Sequence, residues 1–164
     1  VGPLVERKAV DKVEELVDDA VRRGASLQCG GTRPDGPGHF YPPTVLTNVH
    51  PESALMSTEI FGPVAALIPF DGSGADADDA VTAAANGTPA GLVGYVCSRD
   101  AERLEAISAG LAVGMVGVNT GLVSNPAAPF GGIKESGLGR EGGRLGIEEF
   151  LDVTYTSTPI RRRR

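Results

Sequence analysis

The sequence predicts an α/β fold with a mainly parallel sheet flanked by helices, and three observations carry that expectation. The apolar runs VAALIPF at 64–70, LVGYVCS at 92–98 and AVGMVGVN at 112–119 are continuous rather than alternating, as in strands covered on both faces. Helix-like stretches at 75–85 and 100–108 separate them. A strand, helix, strand, helix, strand order calls for crossover connections, and those produce parallel pairing.

In residues 6–23, Val10, Val13, Leu16, Val17, Ala20 and Val21 recur at spacings of three and four, with charges on the opposite face. An amphipathic helix is expected there, stopped by Gly24. ASLQCGG at 25–31 offers a short strand. The following stretch, 32–43, holds Pro34, Pro37, Pro42 and Pro43 and is expected to be a loop, with another short strand at 44–49. Asn86-Gly87 ends the 75–85 helix. Asp100 is a good N-cap for the next, whose stripe is Ala101, Leu104 and Ile107. After Asn119 the pattern breaks into a glycine-rich loop and a helix near 140–150. The closing LDVTYTSTP at 151–159 is alternating and rich in β-branched residues, so a terminal strand is expected. With no neighbour in sequence, its edge is expected to add to another subunit's sheet or to a distant domain.

Composition narrows the function classes. With 164 residues, 41% hydrophobic and 22% charged, the chain has material for one globular domain with a core, and a disordered chain is not expected. The net charge is −6, and Arg161 to Arg164 at the terminus supply four of the fifteen basic residues, so the body is more acidic still. Nucleic acid is an unsuitable partner, and the arginine tail reads as a solvated end. No apolar run approaches the roughly 20 residues that span a bilayer, and no basic-then-apolar leader opens the chain. The expectation is a cytoplasmic protein with no membrane partner. Cys29 and Cys97 read as reduced structural thiols, and His39 and His50 have no ligands at metal spacing, so no metal site is expected. The chain opens on Val1, with Pro3 where a helix's first turn would begin, and reads as if cut from something longer.

PFGGIKESGLGREGG at 129–143 poses the sharpest question, because Gly137, Gly139 and Gly142 satisfy G-x-G-x-x-G. A dinucleotide fingerprint follows a buried strand and is trailed about twenty residues later by an acidic residue for the ribose. Here IKES precedes Gly137, and the corresponding position falls in the arginine tail. Lys134 does not complete a Walker pattern either. The glycines are expected to let backbone segments pack closely and to shape a pocket wall.

STEIFGPVAALIPF, GVNTGLVSNPAAPFGGIKESGLGREGG and GIEEFLDVTYTS, taken in order with the opening VGPLVERKAVDKVEELVDDAV, closely resemble the C-terminal part of the catalytic domain of the aldehyde dehydrogenase superfamily. The branch most similar is the succinate-semialdehyde dehydrogenases. The resemblance implies that Glu59 of the E-I-F-G-P motif holds the nicotinamide ribose of NAD or NADP and that Phe61 packs by the nicotinamide ring. Thr58 stands where the family often has an acid. It further implies that Ser124 in GLVSN helps bind the substrate's distal carboxylate and that Phe130 lines the aldehyde tunnel.

The same resemblance places the nucleophilic cysteine, the general base and the cofactor-binding glycines before Val1, so no residue of this chain is expected to be catalytic. Cys29 shares only a preceding glutamine with the nucleophile's G-Q-x-C surroundings and is rejected. The expected organisation is 1–150 as the C-terminal part of the catalytic domain and 151–164 as an oligomerisation strand and basic tail. Two functions follow. One is part of an NAD(P)-dependent enzyme oxidising a small-molecule aldehyde, succinate semialdehyde, to its acid, assembled as a homo-oligomer through the terminal strand and inactive as this chain alone. The other is a non-catalytic oligomerising module or remnant of the same family.

Overall fold

The computed structural model describes residues 1–70, 72 and 74–159. The chain divides into two compact units, Val1–Val81 and Thr82–Arg164.

In the first unit the amphipathic stripe forms helix α1, Arg7–Arg22. Its apolar side is the core: Val10, Val13, Val17 and Ala20 cluster with Leu46, Tyr41, Val49 and Leu55. Left-handed backbone at Gly24 turns the chain out of the helix. Strands β1 (Ser26–Cys29), β2 (Thr44–Thr47) and β3 (Val64–Leu67) form one sheet in the order β1-β2-β3. β1 runs antiparallel to β2, and β2 runs parallel to β3. The proline-rich loop is latched where the buried Thr44 hydroxyl accepts from the Gly31 amide at 2.9 Å and donates to the Pro42 carbonyl at 2.9 Å. Arg33 ties the same loop to α1, with contacts of 2.9 Å to Asp11 and 3.4 Å to Glu14.

Helix α2, Ala75–Asn86, carries the chain into the second unit. There β4 (Val93–Val96), α3 (Ala101–Gly110) and β5 (Met115–Val118) make a right-sized β-α-β unit with β4 and β5 parallel. Asp100 caps α3 as expected, its carboxylate accepting from the Glu102 and Arg103 amides at 3.0 and 3.2 Å. Asn86 joins the end of α2 to the α3–β5 turn: its side chain donates to the Gly110 carbonyl at 2.8 Å and accepts from the Ala112 amide at 2.7 Å.

The α/β class holds, as does the parallel pairing of β4 with β5, whereas β3 pairs with β2 and not with β4 among the described residues, and four further details differ from expectation. The described strands form a mixed three-stranded sheet and a two-stranded one, because β1 returns through a loop with no helix and so can only pair antiparallel. The apolar runs are not covered on both faces, since Leu67, Tyr95 and Val118 are about half exposed. The helix near 140–150 is reduced to α4, Gly143–Gly146, and a single 3-10 turn, Glu148–Phe150. Gly142, Gly143 and Gly146 disfavour a longer helix, and Gly143 is itself left-handed. Cys29 and Cys97 are both free and exposed, not core thiols. Cys97 follows Val96 at the end of β4, so strand alternation turns it away from the side Val96 buries.

Residues 151–159 are exposed and make no sheet ladder among the described residues, so the expected terminal strand has no partner strand here. The arginines at 161–164 lie outside the described residues.

Candidate functional site

In the first unit the Glu59–Phe61 segment leaves a 3-10 turn, Ala54–Met56, that is anchored to α1. The Ala54 amide donates to the Asp19 carboxylate at 2.8 Å. That bond, with Arg23 at 3.0 Å, holds the Asp19 carboxyl below the usual aspartate range. Beyond the turn Glu59 is exposed and makes no ion pair among the described residues. Ile60 packs against the core. Phe61 then takes a left-handed φ of 48° and stands 72% exposed. A β-carbon on Gly62 would come within 2.5 Å of a Val13 methyl, so only glycine lets the turn rest this closely on α1. The Pro63 carbonyl accepts from the Thr44 amide at 2.8 Å and starts the β2–β3 ladder.

One contact at this turn was not legible in the sequence. The Lys12 ammonium lies 5.5 Å from the centroid of the Phe61 ring, within cation–π range. Lys12 occupies a polar position on an amphipathic helix 49 residues before Phe61. No spacing rule links the two.

In the second unit Ser124 and Phe130 share the loop after β5. Asn119 opens it with a left-handed φ of 52°, its side chain accepting from the Ser98 amide and donating to the Ser98 carbonyl, both at 3.0 Å. Ser124 is exposed. The Asn125 side chain accepts from the Ala127 amide at 2.9 Å, and the Pro126 carbonyl accepts from the Gly143 amide at 3.0 Å. Phe130, 38% exposed, exchanges two backbone bonds of 2.7 Å with Glu141. The glycine segment therefore seats the loop. Arg140 tightens it, one guanidinium nitrogen reaching the Gly132 and Gly139 carbonyls at 2.7 Å each.

The G-x-G-x-x-G match has the surroundings of neither a strand nor a long helix. A 3-10 turn, Lys134–Ser136, precedes Gly137, and the four-residue α4 follows Gly142. The four residues drawn from the resemblance thus fall as two pairs, Glu59 with Phe61 in the first unit and Ser124 with Phe130 in the second. An open groove of about 550 Å³ at the ends of β2 and β3, lined by Thr47, Asn48, Ala66, Leu67, Ile68 and Pro69, contains none of them. Among the described residues no cluster of His, Cys, Asp or Glu is arranged to hold a metal, and no helix is long and apolar enough to cross a membrane.

Comparison with known proteins adds the following. A family model described as the aldehyde dehydrogenase family matches residues 1–156. Mitochondrial succinate-semialdehyde dehydrogenase of Rattus norvegicus is 47% identical over 94% of this chain and 28% of its own length. The NADP(+) succinate-semialdehyde dehydrogenase of Escherichia coli (strain K12) is 46% identical over 94% of this chain and 31% of its own length. The crystal structure of an aldehyde dehydrogenase from Brucella melitensis biovar abortus 2308 superposes with a TM-score of 0.89 at 43% identity, covering 99% of this chain and 32% of that one. The chain spans about 30% of the length of the relatives it matches.

Proposed function

The chain belongs to the aldehyde dehydrogenase family, and from that premise we propose that it forms the C-terminal part of the catalytic domain of an NAD(P)-dependent enzyme that oxidises succinate semialdehyde to the acid. The observation carrying the cofactor half of this reading is the Glu59–Phe61 turn. A carboxylate that makes no ion pair among the described residues and an aromatic ring open to solvent stand two residues apart on backbone fixed against α1. These groups fit a nicotinamide riboside. Glu59 would accept from the two ribose hydroxyls, each charge-assisted bond contributing about 1.5–3 kcal/mol, and Phe61 would bound the ring. When bound, the oxidised nicotinamide supplies a hydride acceptor.

On the substrate side, Ser124 would donate its hydroxyl to the distal carboxylate and Phe130 would line the path of the aldehyde. Both ends of their loop are held by hydrogen bonds, at Asn119 and at Phe130–Glu141, which supports a preformed binding surface. Residues 1–150 belong to the catalytic part, and the segment from 151 on acts in homo-oligomer assembly. Leu151, Val153 and Tyr155, at alternate positions, are 61%, 97% and 87% exposed, a pattern suited to pairing with a strand of a second copy. The two free cysteines suit a reducing compartment, and the reading includes the cytoplasm.

The polypeptide encoded by the complete gene is expected to reduce NAD or NADP with succinate semialdehyde, and the 164-residue chain alone is not. Glu59→Gln in the complete polypeptide raises KM for the cofactor and lowers kcat. Turnover by the verified 164-residue chain, or none by the complete product, overturns the proposal.

A further inference from the structure

We propose that Lys12 is a positioning residue for Phe61: its ammonium, 5.5 Å from the ring centroid, holds the aromatic side chain in the orientation in which it meets the nicotinamide. The inference rests on the cofactor reading above and adds a residue that the resemblance did not supply.

Three features of the turn make such a device necessary. Phe61 is 72% exposed, so packing supplies little of its orientation. Its φ of 48° is a conformation that bulky side chains rarely adopt, so the backbone around it is held from outside. That hold comes from α1: Gly62 rests on Val13, the residue next to Lys12, and a β-carbon there would meet the Val13 methyl at 2.5 Å. Adjacent residues of one helix therefore fix the turn twice, Val13 through the backbone and Lys12 through the ring.

Lys12 is free to do this. It makes no ion pair among the described residues, so no carboxylate competes with the ring for its charge. Its helix cannot shift to compensate, because Val13 is fully buried and Val10 and Leu16 are buried on the same side. The ring face is the negative end of the quadrupole, which favours a cation over it at exposed sites by a factor of about two to five in population. A nicotinamide-facing ring held in this way would present one edge and one face reproducibly.

The test uses the polypeptide encoded by the complete gene, with reduced nicotinamide mononucleotide as the probe. In carbon–proton NMR spectra the Lys12 ε-methylene protons should be shifted upfield by the Phe61 ring, and Phe61→Leu should abolish the shift. Phe61 ring order should fall in Lys12→Met and be kept in Lys12→Arg, which preserves the cation. Probe affinity should fall about two- to fivefold in Lys12→Met and return in Lys12→Arg. An unshifted Lys12, or a Lys12→Met chain whose Phe61 order and probe affinity are unchanged, overturns the positioning role. If Lys12 is shifted yet the probe perturbs neither Glu59 nor Phe61, the cofactor reading fails while the Lys12–Phe61 contact stands, and the role proposed for that contact falls with it.

Discussion

Gly114, just before β5, lies so close to Gly131 that a methyl group on its Cα would overlap the Gly131 carbonyl oxygen. Two glycines thus let the second unit's sheet and its glycine-rich loop touch backbone to backbone.

Gly114→Ala is therefore expected to be destabilising although its φ is not left-handed, because the obstacle is backbone and not a flexible side chain. Overpacking of this kind costs about 1–3 kcal/mol. Urea unfolding followed by circular dichroism checks it, and a substitution within a few tenths of a kcal/mol of wild type counts against the close approach.

Asn86→Ala removes two bonds at once, to the Gly110 carbonyl and the Ala112 amide. Ala112 is only partly buried, so water replaces part of the loss, and a cost of about 1–3 kcal/mol is expected. Amide exchange at Ala112 reports it locally, and unchanged protection there refutes the bridging role.

Leu46→Ala empties the centre of the first unit's core, where Leu46 is fully buried among Val10, Val13 and Val17. The expected cost is about 2–5 kcal/mol. If the variant does not fold, Leu46→Met, which conserves volume, should fold within about 1.5 kcal/mol of wild type.

Acid should weaken the first unit through Asp11 and Asp19. Arg33, followed by Arg7, lowers the carboxyl of Asp11 despite partial desolvation, and the Ala54 amide followed by Arg23 lowers that of Asp19. Carboxyls depressed in the folded state bind fewer protons there than in the unfolded chain, so stability falls as pH drops through the carboxylate range. Above that range their contribution is fully present. The double substitution Asp11→Asn, Asp19→Asn should flatten the low-pH limb of the stability curve, as measured by urea midpoints at a series of pH values.

Much of the fold could be read from the sequence because it depends on local rules. The three- and four-residue spacing from Val10 to Val21 fixed α1 to within a residue, and Asp100 capped α3 as its side-chain chemistry requires. The apolar runs gave β3, β4 and β5 their places for the same reason. Strand direction between β1 and β2, and the collapse of the 140–150 helix to the four-residue α4 and a 3-10 turn, were less legible, since each depends on what the segment packs against.

The site divides along the same line. Glu59, Phe61, Ser124 and Phe130 were marked by ordered motifs in the sequence, which names residue types and spacing. That Glu59 is exposed, that Phe61 is turned outward by left-handed backbone, and that Lys12 stands over its ring were decided by tertiary structure alone. The physical reason is sequence distance: periodicity encodes which side of a helix is apolar, whereas a charge meeting a ring 49 residues away depends on how closely Gly62 can settle on Val13.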